Sequence, residues 1–172
     1  MNDRYAALAE RNLFQELIDL RDRQRREMEG ALTIVKGSDI PIELNPWGRI
    51  QWYVHPTLTD TASRALLFWV MHIAPGSSTG ELHCQGGHIY QVWRGSKGHT
   101  MLDGVRHEWA RDCVLNIPLR PGGVTFTHYN DGDDEVKLLG SCLNLVDTLT
   151  LDAGSTFEVL KPCPEWEAQA KP

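Results

Sequence analysis

From Ala65 onward the chain is punctuated by turn-forming residues at intervals of about ten, and this spacing restricts the fold more than any other feature. The markers are Pro75-Gly76, Gly86-Gly87, Gly95-Ser96-Lys97-Gly98, Asp103-Gly104, Pro121-Gly122-Gly123, Asn130-Asp131-Gly132 and Asp152-Ala153-Gly154. Between them lie short apolar or alternating runs, the pattern of an all-β sandwich or barrel. Leu66 to Ile73 is a continuous apolar run, which suits a strand buried on both faces. Asp103-Gly104, between Met101-Leu102 and Val105-Arg106, predicts a two-residue hairpin.

Upstream the pattern changes. Residues 3 to 29 predict one helix, capped by Asp3 and ended by a left-handed Gly30. Tyr5, Leu8, Leu13, Leu17 and Leu20, with Phe14 and Ile18, form an apolar stripe expected to pack on the barrel or on another subunit. The charged run Arg21 to Arg26 suits the negative end of the helix dipole and reads as a solvated helix end. Residues 31 to 60 read as an arm with strands at Leu32–Val35, Ile40–Leu44 and Arg49–Val54, with Pro41 confining the second to an edge. The division is a helix over 1–30, an arm over 31–60, a barrel over 61–160 and a loose tail over 161–172.

The net charge of −6 argues against nucleic acid or anionic membrane as partner. No apolar run approaches the roughly 20 residues of a membrane helix, and no signal-peptide core is apparent, so a cytoplasmic location is expected. Four scattered cysteines without a CxxC pair are expected to be thiols.

The chemistry concentrates in Gly80 to Gly95, where Glu81, His83, Cys84 and His88 fall within eight positions. Residues two apart in a strand share a face. Glu81 pairs with His83 in this way, His88 with Tyr90 and Val92, and Phe126 with His128. If those faces line the barrel interior, His83, His88 and His128 converge on one metal ion with Glu81 beside it. Imidazoles with a carboxylate suit non-haem iron(II), and imidazoles alone suit zinc, nickel or copper. His55, His72, His99 and His107 read as structural. Arg64, Arg94, Arg106 and Arg120 are candidates for an anion-binding charge, though a paired or solvated role suits each better.

These residues resemble the cupin motifs. Counting back from Gly95, His88 takes the usual glutamate position, His83 matches the second histidine of the first motif, and Glu81 stands where the first would be. Pro121-Gly122-Gly123, His128 and Asn130 echo the second motif. Over residues 65 to 150 the resemblance implies a jelly-roll β-barrel. His128 to Asp133 and Leu138-Leu139-Gly140 are similar to segments of gentisate and salicylate dioxygenases. That likeness implies an Fe(II)-dependent dioxygenase acting on a small aromatic acid, with His83, His88 and His128 as ligands and Glu81 and Tyr90 as catalytic groups. The chain departs from those enzymes in three ways: Phe126 replaces a ligand, Tyr90 replaces a substrate-binding arginine, and a one-residue shift in register makes Cys84 an alternative ligand. The competing expectations are a redox-neutral lyase or isomerase using zinc, nickel or manganese, and a non-catalytic barrel that binds a small molecule. Cupin barrels often exchange edge strands, so a homodimer is expected.

Overall fold

The computed structural model describes residues 3–61, 63, 65–143 and 158–169. Arg64 and the Asp152-Ala153-Gly154 turn lie outside them. Eleven strands follow one another in the described chain: β1 (Glu43–Asn45), β2 (Gly48–Val54), β3 (Leu66–Ile73), β4 (Glu81–Cys84), β5 (His88–Arg94), β6 (Lys97–Leu102), β7 (Val105–Ala110), β8 (Val114–Ile117), β9 (Val124–Asn130), β10 (Val136–Leu143) and β11 (Glu158–Lys161). They form two antiparallel sheets, ordered β1-β2-β3-β10-β5-β8 and β11-β4-β9-β6-β7. Among the described strands, β8 and β7 end their sheets and do not pair with each other, so the barrel is open along that side.

Alternation decides what fills the interior. Trp69, Met71 and Ile73 from β3, Tyr90 and Val92 from β5, Leu82 and Cys84 from β4, Phe126 from β9 and Leu138 from β10 make one continuous core. Gly140 stands opposite Trp69 across β10 and β3. A Cβ at Gly140 would run into the Trp69 indole, so the missing side chain makes room for the largest ring of the core. The predicted hairpin forms as expected: Asp103 (φ 49°) and Gly104 (φ 79°) turn β6 into β7 with both residues left-handed.

The N-terminal segment differs from its expectation. The helix is broken into α1 (Asp3–Ala9) and α2 (Leu13–Glu29). Asn12 Oδ1 accepts a hydrogen bond from the Gln15 N–H at 3.0 Å and so starts α2 afresh. Gly30 ends α2 with φ −93°, outside the left-handed region. In the arm Leu32–Val35 forms no strand, and the second expected strand is reduced to β1. The tail is also structured. β11 pairs with β4, and α3 (Pro164–Gln169) follows it. The buried Cys163 anchors this end, its N–H donating to the Pro46 carbonyl at 2.9 Å.

Candidate functional site

The β5 and β9 faces turn inward as their alternation predicts. His88, Tyr90, Phe126 and His128 are all buried in the interior. β4 is in the opposite phase. It pairs with β9 so that Leu82 faces Phe126, His83 faces Thr125 and Cys84 faces Val124. Directly opposed residues share a face of the sheet. Leu82 and Cys84 therefore enter the core, both fully buried, while Glu81 and His83 turn outward. The cause is the hydrophobic pattern: a one-residue shift would exchange a leucine and a thiol in the core for a carboxylate and an imidazole.

This corrects the expected ligand set. His83 does not join His88 and His128; its Nδ1 lies 3.1 Å from Thr125 Oγ1 on the outer face. Glu81 sits opposite Lys161 of β11 and is not a catalytic group of the interior. Among the described residues no group of three or more His, Cys, Asp or Glu side chains is placed to hold a metal ion.

What the interior does assemble is an aromatic cluster around two imidazoles. The Tyr90 ring lies 4.4 Å from His128 and 6.1 Å from His88, and Phe126 lies 5.3 Å and 5.7 Å from the same two rings. Trp69 packs edge-on to both His88 and Tyr90. The Tyr90 hydroxyl is 3.2 Å from His88 Nδ1, and complete burial raises its pKa well above the usual value. Tyr90 is thus an interior aromatic with one polar partner, unsuited to giving up a proton. Burial lowers the pKa of His88 to about 4 and that of His128 to about 3, so both rings are neutral at pH 7.

A short relay ties His128 to the sheet. Trp109 Nε1–H donates to Thr100 Oγ1 at 3.0 Å, and Thr100 Oγ1 lies 2.7 Å from His128 Nδ1. An indole N–H can only donate, so the threonine oxygen accepts from it. The hydroxyl keeps a second lone pair and its own proton, so it pairs with either neutral form of His128, donating to a bare Nδ1 or accepting from Nδ1–H. His128 Nε2 and Trp69 Nε1 are both buried without a hydrogen-bond partner. A metal needs a lone pair on the ligating nitrogen. With the proton on Nδ1 and donated to Thr100 Oγ1, His128 Nε2 carries that lone pair. With Glu81 and His83 turned outward, the donor set among the described residues does not fit Fe(II), zinc, nickel or manganese.

Thr100 and Trp109 were not apparent as site residues in the sequence. The signal available was the Asp103-Gly104 hairpin, which fixes β6 alternation and, through β9, sets Thr100 opposite His128. The four histidines expected to be structural have local roles or none. His72 bridges Gln51 and Glu135, His99 meets Asp131 at 2.7 Å, His55 meets Thr57, and His107 is exposed. Arg106 and Arg120 form surface ion pairs with Asp131 and Asp103.

Two facing antiparallel sheets with this strand order define the cupin fold, and solved structures bear it out. A predicted oxalate decarboxylase from Thermotoga maritima aligns with TM-score 0.53 at 21% identity, covering 64% of this chain and 98% of that one. The polyketide cyclase RemF from Streptomyces resistomycificus aligns with TM-score 0.54 at 13% identity, covering 65% and 79%. A variant of salicylate 1,2-dioxygenase from Pseudoaminobacter salicylatoxidans, in complex with gentisate, aligns with TM-score 0.53 at 18% identity; 84% of this chain matches 36% of the enzyme. The chain is a cupin by fold, and these neighbours carry out different chemistries. No protein-family model and no curated protein matches the sequence.

Proposed function

We propose that this chain is a small-molecule-binding cupin that works without a resident metal. The observation that carries this is the Leu82–Phe126 pair, which occupies the inner face where a third and fourth ligand would have to stand. His128, kept neutral by burial and with Nε2 unpartnered, can present an Nε2–H to an acceptor atom such as a carbonyl oxygen. Among the described residues no lysine or arginine is buried to receive a carboxylate. A ligand admitted to this core would therefore match it better as an uncharged cyclic or aromatic carbonyl compound than as an aromatic acid.

The alternative is an iron-dependent dioxygenase acting on a small aromatic acid. It draws support from the 84% coverage on the salicylate dioxygenase fold and from the inward placement of His88 and His128. The two are separated by thermal-shift measurements on uncharged carbonyl compounds and their carboxylate analogues, run beside oxygen uptake with hydroxybenzoates after anaerobic Fe(II) loading. The expected result is stabilisation by uncharged carbonyls, weakened in His128→Phe, and no oxygen consumption. Hydroxybenzoate-dependent oxygen uptake that disappears in His88→Ala would reverse the assignment.

A further inference from the structure

β5 and β10 fall out of step near one end of their pairing. Arg94 stands opposite Lys137 and Val92 opposite Leu138, so Trp93 is the extra residue of a β-bulge. Val92 and Leu138 are buried in the core, and alternation sends Trp93 and Lys137 to the outer face of the sheet. The β7–β8 turn is held against the same place. There the Asp112 N–H donates to the Val92 carbonyl and the Val92 N–H to the Cys113 carbonyl, both at 2.9 Å. Trp93, Arg94, Lys137 and Arg111 of that turn line a notch of about 340 Å³, and among the described residues no carboxylate lines it.

Arg94 opposite Lys137 is an unfavourable arrangement, because like charges facing each other across paired strands repel. Little nearby offsets it. Lys137 Nζ lies 3.7 Å from Glu135, which is shared with His72, and Arg111 Nε lies 3.9 Å from the exposed Asp112. Ion pairs of this kind near solvent contribute little. Arg94 makes no ion pair among the described residues. The Trp93 indole beside it is 55% exposed. A chain of net charge −6 thus gathers three cations and an uncovered indole at one bulge. An anion seated between Arg94 and Lys137 turns their repulsion into attraction, and a flat ring attached to it covers the indole.

We infer that this notch binds a small planar compound carrying a phosphate group, with its ring on Trp93 and its phosphate held by Arg94, Arg111 and Lys137. The guanidinium forks match phosphate oxygens in pairs, and the lysine adds a point charge. A phosphate dianion balances three cations better than a carboxylate does. The volume lies at the small end of ligand pockets and suits one ring system with its phosphate. The site faces outward from the sheet and is separate from the interior around His88 and His128.

The test is titration of the full-length protein with phenyl phosphate, inorganic phosphate and phenol, read by isothermal titration and by the indole N–H resonances in two-dimensional NMR. Phenyl phosphate is expected to shift the indole resonance that is missing from Trp93→Phe, and to bind about tenfold or more tightly than either fragment alone. Arg94→Gln is expected to raise its Kd about tenfold, whereas Arg26→Gln, which removes the same charge from α2, leaves Kd unchanged. Without ligand, Arg94→Gln is expected to unfold at the native temperature or above it, since the repulsion with Lys137 is gone. An unmoved Trp93 resonance, equal Kd values for Arg94→Gln and Arg26→Gln, or a fragment that binds as tightly as phenyl phosphate would overturn the inference.

Discussion

Thr100 is the residue on which the interior chemistry turns, because one hydroxyl joins Trp109 to His128. Thr100→Val keeps the shape and removes the oxygen. It leaves an indole N–H and an imidazole nitrogen buried without partners, at about 1–3 kcal/mol for each such group. Urea unfolding is expected to show a loss in that range, with Thr100→Ser recovering most of it; equal stability of Thr100→Val and the native chain would remove the relay. His83→Ala should change stability by less than about 0.5 kcal/mol, because that ring is partly exposed on the outer face.

At the level of the strand, the phase of β4 decides which side chains meet His88 and His128 in the interior. Leu82 faces Phe126, and Phe126 lies 5.7 Å from His88 and 5.3 Å from His128, so Leu82→His with Phe126→His would put four imidazoles on one inner surface. That double variant is expected to take up about one equivalent of zinc or nickel where the native chain takes none, as read by isothermal titration; failure of a folded variant to bind would mean that β4 is out of register. Much of the surrounding sheet was legible beforehand. Leu66–Ile73 is β3 to the residue, and the Asp103-Gly104 turn and the inward faces of β5 and β9 followed from turn chemistry and alternation. The phase of β4 did not, because four residues alternate acid–leucine–histidine–cysteine and either face offers plausible ligands. Burial of Leu82 and Cys84 decides it, and that depends on β9, more than 40 residues away. The break at Asn12 and the order of α3 were legible in principle, from an Asn-x-x-Gln cap and from Pro164 at a helix start.

For the molecule as a whole, two neutral imidazoles in the core make folding sensitive to acid. The unfolded chain binds protons on these histidines near pH 6.5, whereas the folded chain resists until about pH 4 for His88 and about pH 3 for His128. Their stabilising contribution is therefore complete above about pH 6.5 and is lost progressively as pH falls toward 3, by a few kcal/mol each at about 1.4 kcal/mol per pKa unit. His72, lowered by burial, acts in the same direction. Thermal unfolding is expected to fall steeply between pH 6.5 and 4, with a shallower slope in His128→Gln; a flat profile would show that these rings are hydrated. The most direct test of the central claim is elemental analysis of the native protein after anaerobic incubation with Fe(II), Zn(II), Ni(II) or Mn(II) and desalting. Well below 0.1 equivalent of any metal per chain is predicted, on the basis of the outward His83 and the Leu82–Phe126 pair. One tightly held equivalent that is lost in both His88→Ala and His128→Ala would contradict it.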